Sequence, residues 1–366
     1  MHKNQHLALS YNFLIYKGYS RSTVFEKEMG QHWYLPNEWA EILMNPKGFR
    51  LEELPQKLPT YKQEEIQNDL LFLRRNKIIS PTINSTTPDY QESINISNYF
   101  IDCCSVTISN PVNKNFFNTL RNFQSKRLEL YFISKSKSLD FTQSLGNLNF
   151  ETLAINLDYN HFKKLNLNEL ASKIKKLSAI RIINTPFNHS ETLNRIKIQK
   201  IKKDSNHEFS FKLLKLADND EHNQYYKGRI HINADGTIKN APNSLNTFGT
   251  IYNTDINDVF NSQDFQEIWK AKKSKVDVCS DCEFRGICID KRPLKKRPNG
   301  TWYSTEDCNY NPYLNSFKGE DAYLTLKECG VESTKQGFKI LVDQFIAVKT
   351  ERPNAAQQID LNQNLL

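Results

Sequence analysis

The chain has no apolar run near the roughly 18 residues that a membrane-crossing helix requires, so no helical span is expected in its 366 residues. The opening MHKNQHLALSYNF holds no apolar stretch of signal-peptide length. With both features missing, no membrane association is expected, and the default setting is cytoplasmic with reduced cysteines. Disulfides are then the weaker use for the seven cysteines. No G-x-G-x-x-G and no P-loop occurs, so nothing marks a nucleotide cradle. No nucleophile–base pair or carboxylate dyad can be read, so no catalytic residue is assigned. His222 and His231 are more readily structural than catalytic. No RNA-binding motif occurs, and the 16 tyrosines and 22 phenylalanines fall mostly at core-like positions, so no nucleic-acid partner is expected.

What is present is a soluble, polar composition, 38% hydrophobic and 25% charged, long enough for two or three domains. The net charge of +8 permits an acidic peptide partner without requiring one. Residues 1–80 read as one small unit. Strands are expected at Tyr11–Tyr16, Arg21–Glu28 and His32–Leu35. Helices follow from Pro36, near Leu51–Leu54, and over Lys62–Lys77 with Ile66, Leu70, Leu71 and Leu73 as its apolar stripe. Three strands and three helices predict a winged-helix-like module. Its third strand and last helix form the expected peptide cleft, with His32, Tyr34, Leu71 and Arg74 as contact residues.

Residues 81–93 read as a linker. From 94 to 200, strands at Ile101–Ile108, Leu128–Ile133, Leu153–Leu157 and Ile180–Asn184 alternate with helical stretches at Asn115–Phe123, Leu139–Leu145 and Leu167–Leu177. This rhythm predicts an α/β fold with parallel strands, as in an open or partial barrel. The Lys-rich stretch 190–207 reads as a solvated face or edge strand. A further strand is expected at Phe209–Leu216. Gly228–Asn233 and Thr237–Asn240 form a hairpin turning at Ala234–Asp235–Gly236. Short helices are expected after Thr254 and near Ser262. Gly337–Val348 alternates enough for helix or strand, and the last residues are polar.

The strongest signal is Cys279, Cys282, Cys288 and Cys308, spaced C-x2-C-x5-C with a further 19 residues before the last. A C-x2-C pair puts two thiolates on one turn, and the other two close the site. Four thiolates suit a tetrahedral zinc or a [4Fe–4S] cluster, and spacing alone does not separate them. Cys103 and Cys104 are neighbours on an expected strand, point to opposite faces and read as core thiols. Cys329 is left over. The basic loop Arg285, Lys291, Arg292, Lys295, Lys296 and Arg297 flanks the site and reads either as a solvated loop or as a group that tunes a cluster or holds acidic residues.

The run GRIHINADGTIKNAPN, FGTIYNTDINDVF, FQEIWKAKK, CSDCEFRGICIDKRP and CNYNP resembles the SPASM domain of radical-SAM peptide-modifying enzymes. It looks most like the SPASM proteins of grasp-with-spasm cassettes, as does KGYSRS with YLPNEW near the N-terminus. The resemblance covers about residues 10–315 and implies a degenerate (β/α) barrel over 94–225, a SPASM domain over 226–315 and a C-terminal extension over 316–366. It also implies a ribosomally made precursor peptide and an ATP-grasp ligase as partners. Two-cluster SPASM domains carry a G-x4-C cysteine and a fourth cysteine in the central run. Those positions hold Ala241 and Lys291–Arg292 here, so the resemblance implies one retained [4Fe–4S] cluster on Cys279, Cys282, Cys288 and Cys308. The C-x3-C-x2-C triplet of radical-SAM enzymes is missing, so S-adenosylmethionine is not expected as a cofactor. The resemblance tips the metal choice from zinc to the cluster.

Overall fold

The computed structural model describes residues 6–27, 30–82, 101–108, 114–120, 124–132, 148–163, 167–193, 195–202, 210–211 and 222–347. Most of the linker read over 81–93, the helix read at 139–145 and the last residues of the chain lie outside them, as does most of the strand read at 209–216.

The N-terminal strands β1 (His6–Leu9), β2 (Phe13–Lys17), β3 (Ser22–Glu26) and β4 (His32–Leu35) lead into α1 (Asn37–Leu43), β5 (Phe49–Arg50), α2 (Leu54–Lys57), α3 (Gln63–Arg75) and β6 (Ile79–Pro81). Strands β2, β3 and β4 form the expected antiparallel sheet. A second sheet, in the order β5-β1-β6, was not read from the sequence. Helix α3 starts where the Glu65 carboxylate accepts the Lys62 N–H at 2.6 Å, which satisfies one orphan donor of the first turn. Its apolar stripe is Ile66, Leu70 and Leu73, at i, i+4 and i+7, whereas Leu71 is 51% exposed. Trp39 is fully buried, and its indole N–H reaches Asp69 on α3 at 2.6 Å.

The middle of the chain builds a large, mostly parallel sheet. Its strands are β7 (Ile101–Ile108), β8 (Gln124–Phe132), β9 (Asn149–Asp158), β10 (Leu177–Thr185), β11 (His189–Leu193) and β12 (Ile196–Lys202). The helices α4 (Lys114–Thr119), α5 (Tyr159–Phe162) and α6 (Leu167–Lys173) lie between them in sequence. After β13 (Ser210–Phe211) come β14 (Arg229–Ile232) and β15 (Ile238–Lys239), and the sheet order is β11-β12-β10-β9-β8-β7-β14-β15. The six strands from β12 to β14 are parallel, with antiparallel β11 and β15 at the edges. The Lys-rich stretch read over 190–207 spans the edge strand β11 and its inner neighbour β12. Ile196 and Ile198 of β12 are buried on one face while Lys197 is exposed on the other, and β11 covers its free side. The hairpin read at 228–240 is present, but β14 also pairs with β7. One sheet thus crosses the domain boundary expected between residues 225 and 226.

Period-2 alternation splits this sheet. Leu128, Leu130, Leu153, Ile155, Ile180, Ile182, Ile230 and Ile232 enter one core with Phe116, Leu120, Leu170 and Ile174 from the helical side. Helices α7 (Ile256–Asn261), capped by Asp255, and α8 (Gln263–Gln266), capped by Ser262, add Phe260 and Phe265 to it. The other face is polar.

Beyond them lie short two-stranded ladders. Strand β16 (Cys288–Ile289) pairs with β13, β17 (Leu294–Lys296) with β18 (Trp302–Ser304), and β19 (Tyr310–Asn311) with β20 (Ser316–Phe317). Strand β21 (Val331–Ser333) pairs with β22 (Phe338–Ile340), which settles part of the 337–348 stretch as strand.

Candidate metal centre

The four cysteines hang on turns rather than on long elements. Cys279 opens a 3₁₀ turn that ends at Cys282, Cys288 begins β16, and Cys308 precedes β19. The turn before Cys279 is strained. Val278 sits at φ +65°, ψ −41°, and the Cys279 N–H donates to the Asp277 carbonyl at 2.7 Å. This is a γ-turn of the rarer hand on a β-branched residue, a conformation that persists only where the surroundings impose it.

Cys282, Cys288 and Cys308 pack against Tyr16, Phe25, Tyr34, Phe284, Ile287 and Tyr310, while Cys279 packs against Tyr226, Ala241, Val276, Trp302 and their neighbours. Each cysteine is half-buried and none is in a disulfide. The thiols lie within electrostatic reach of one another: Cys279 of Cys308, Cys282 of Cys279 and Cys288, and Cys288 of Cys279 and Cys308. Desolvation pushes the Cys279, Cys282 and Cys288 thiols up from their ordinary range. A bound cation or cluster is the ordinary means of holding such thiols as thiolates. Among the described residues no group of three or more His, Cys, Asp or Glu is gathered so as to hold a single metal ion.

Against that desolvation, particular contacts favour negative charge on sulfur. The Phe284 N–H donates to Cys282 Sγ at 3.4 Å, and Arg292 Nη2 lies 3.8 Å from Cys279 Sγ. Lys273 and Arg292 hold Asp290 between them at 3.0 and 2.7 Å. Burial alone would raise the Asp290 pKa, but these two cations hold it well below the usual carboxylate range. The trio carries a net positive charge beside the thiols, which lowers the electrostatic cost of several thiolates at one place. Of the six basic-loop residues, Arg292 and Arg297 are buried in ion pairs, Arg297 with Asp277 at 2.6 Å. Lys291, Lys295 and Lys296 are exposed. A cavity of about 340 Å³ beside Cys308 is lined by Asp277, Arg292, Tyr303, Val331 and Phe338 among others.

At the positions where the resemblance would put second-cluster ligands, other side chains are engaged. Ala241 is fully buried among Tyr226, Ala271 and Trp302. Arg292 is committed to Asp290 and to the Glu306 carbonyl. Cys103 and Cys104 are both buried on opposite faces of β7. Cys104 lies in the apolar core, and Cys103 lies within reach of Arg127 and Arg229 on the polar face. Cys329 is buried beside the Asn311 side chain, 3.3 Å from its Nδ2.

The N-terminal unit is docked on the cysteine loop. Arg21 Nε meets Glu283 at 2.8 Å, and Tyr310 donates to the same carboxylate. The Tyr19 N–H donates to the Asp281 carbonyl at 2.7 Å, and Arg285 donates to the Lys17 carbonyl. Tyr16 covers Gly286. This docking decides where the expected peptide cleft lies. On β4, Trp33 and Leu35 point into the core shared with Ile66 and Leu73 of α3. His32 and Tyr34 point the other way, and both form edge-to-face contacts with Phe284. Both are buried, and burial together with the Arg21 charge lowers the His32 pKa to about 4. Leu71 is exposed, and Arg74 is half-buried with a buried Nη2 that makes no hydrogen bond. The structure thus separates His32 and Tyr34 from Leu71 and Arg74, because alternation along β4 puts α3 on the opposite face. Sequence reading missed Lys273, Glu283 and Asp290. Nothing in their type or spacing distinguishes them from solvated loop charges.

No family model matches the chain, and no curated protein matches it. Among solved structures, a selenomethionine form of BtrN in an open conformation overlaps with a TM-score of 0.32 at 11% identity, covering 50% of this chain and 92% of that one. SuiB of Streptococcus suis bound to S-adenosylmethionine overlaps with a TM-score of 0.29 at 9% identity, covering 77% of this chain and 94% of that one. A second SuiB structure gives 0.28 at 12% identity over the same shares. Overlaps this slight fix neither the fold nor the chemistry of this chain.

Proposed function

We propose that this chain is a SPASM-type component of a peptide-maturation system, carrying one [4Fe–4S] cluster on Cys279, Cys282, Cys288 and Cys308. It presents a ribosomal precursor peptide to an ATP-grasp ligase and does not itself cleave S-adenosylmethionine. The observation that carries the reading is that these four thiols lie within electrostatic reach of one another beside the Lys273–Asp290–Arg292 trio. Two further observations support it. Ala241 and Arg292 occupy the places of second-cluster ligands and are packed for other purposes. The cysteines of the parallel sheet, Cys103 and Cys104, are adjacent and face apart, which does not suit a triplet around one centre.

When bound, a cluster with four thiolate ligands has no open iron and supplies either a structural cross-link or an electron relay. The chain's own residues supply the rest. Phe284 N–H and Arg292 favour thiolate at Cys282 and Cys279. Arg21, Glu283 and Tyr310 lock the N-terminal strands onto the loop. The zinc alternative, a zinc-stabilised peptide- or nucleic-acid-binding protein, has no observation of its own in its favour.

The test is to titrate anaerobically purified, cluster-loaded protein with a precursor peptide encoded beside its gene, then to add the neighbouring ligase and ATP. The reading predicts binding, and a peptide mass change that needs both proteins. Absence of binding, or a mass change that the ligase achieves alone, overturns it.

A further inference from the structure

Independently of the cysteines, the large sheet carries a face that packing does not explain. A parallel sheet ordinarily buries apolar side chains on both faces. Here one face meets the helices, and the other is polar in row after row. Register sets Arg229, Cys103 and Arg127 side by side, then His231, Ser105, Glu129, Ala154, Ala179 and Lys197, then Thr107, Tyr131, Asn156, Arg181 and Gln199.

At its centre Glu129, 3% exposed, is shared by three arginines. Arg127 Nε and Arg229 Nη1 each lie 3.1 Å from it, and Arg181 Nη1 lies 3.6 Å away. Burial by itself would raise the Glu129 pKa, but the arginines hold it well below the usual carboxylate range. Beside this, His231 bonds Ser105 at 3.0 Å and Asn233 at 3.1 Å, and burial lowers its pKa to about 4, so it adds no charge at neutral pH. Asp158, at the strand ends, accepts from the Asn184 side chain at 2.8 Å. The described charges on this face are Arg127, Arg181, Lys197, Arg229 and Lys239 against Glu129 and Asp158, which leaves a cationic excess.

The excess faces an open side. Arg229 is nearly buried at the β14 end, but Arg181 is half-buried and Lys197 exposed toward β10 and β12. Arg181 gives Nη1 to Glu129 and Nε to Gln199, and its Nη2 has no hydrogen bond or ion pair among the described residues. Ala154 and Ala179 separate Glu129 from Lys197 within one row and add no bulk above the sheet there. A planar guanidinium with an unspent N–H beside hydroxyl and amide groups is suited to carboxylate recognition.

We propose that this sheet face binds the carboxylates of an acidic peptide segment, with Arg181 and Lys197 as the contacting cations and Glu129 as the residue that positions the arginines. The test titrates the full-length protein with hexaglutamate and with hexaglutamine at low ionic strength. Hexaglutamate is expected to bind and hexaglutamine to bind at least tenfold more weakly. Arg181→Gln is expected to weaken hexaglutamate by roughly tenfold, as loss of one charge-assisted contact does, with the folded circular-dichroism spectrum retained. Arg181→Lys is expected to recover part of that loss. Equal binding of the two peptides overturns the proposal. So does undiminished binding by Arg181→Gln, loss through Lys295→Gln and Lys296→Gln on the remote basic loop instead, or equally effective competition by inorganic phosphate, which would mark a general anion site.

Discussion

Gly286 offers a sharp test of how the N-terminal strands sit on the cysteine loop. It lies between Cys282 and Cys288, and its backbone does not adopt a positive φ. An alanine there is therefore free of backbone strain. Its Cβ, however, would fall inside the Tyr16 ring. That ring is 5% exposed and held among Phe25, Tyr34, Phe284, Ile287 and Tyr310. It cannot swing aside without displacing them, and the Arg21–Glu283 pair and the Tyr19–Asp281 hydrogen bond pin the backbone on either side. Overpacking of this kind costs about 1–3 kcal/mol. Urea unfolding of Gly286→Ala is expected to show that loss with an unchanged denaturant slope. In a Tyr16→Ala background the space is already open, and the added methyl is expected to be neutral or favourable. The double-mutant cycle therefore reads a coupling of about 1–3 kcal/mol. If Gly286→Ala is as stable as the parent, or equally harmful in both backgrounds, Tyr16 does not cover Gly286 and the docking described above is wrong.

Three further outcomes are expected. Glu129→Gln leaves three arginines around a neutral side chain and is expected to lose about 3–5 kcal/mol in urea unfolding, the usual result of removing one partner of a buried charged group; a loss below about 1 kcal/mol would mean that the cluster is solvated. His231 is neutral in the folded chain, with its pKa lowered from 6.5 to about 4 by burial. The unfolded chain therefore takes up its proton first, and this contribution to stability, complete above about pH 6.5, is lost as pH falls toward 4, by roughly 3 kcal/mol. His231→Gln is expected to flatten that part of the pH–stability curve, and identical curves would refute the assignment. Cys308→Ser is expected to abolish iron retention, whereas Cys103→Ser and Cys329→Ser are expected to keep it; equal retention in all three would remove Cys308 from the site.

Local pattern carried far in the central sheet. The alternation in IDCCSVTI fixed β7 to the residue and put Cys103 and Cys104 on opposite faces. The helices expected after Thr254 and near Ser262 begin at caps Asp255 and Ser262, whose side-chain oxygens accept from the first turn. What the sequence hid was non-local. Strand β1 has only four residues, and its partners lie more than 40 residues away at Phe49–Arg50 and Ile79–Pro81. Nothing in Arg229–Ile232 announces that it will pair with β7, because a parallel partner is chosen by sheet order and not by a local turn. The lysines around Ile196 and Ile198 marked a solvated face, which Lys197 occupies, but gave no sign that the two isoleucines are buried behind it. The same blindness affected charged residues near the cysteines. Asp290, Lys273 and Glu283 look like surface groups until the fold buries them against their partners. The cleft expected between β4 and α3 failed for a simpler reason. His32 and Tyr34 have the wrong parity to share a face with the helix.

The central claim is that four sulfurs hold one iron–sulfur cluster. The direct measurement is iron, labile sulfide and zinc content, with an absorption spectrum, on protein purified without oxygen. The account predicts about four iron and four sulfide per chain, a brown solution, and loss of both in Cys279→Ser and Cys308→Ser. A colourless preparation containing about one zinc per chain, or no metal at all, would contradict it.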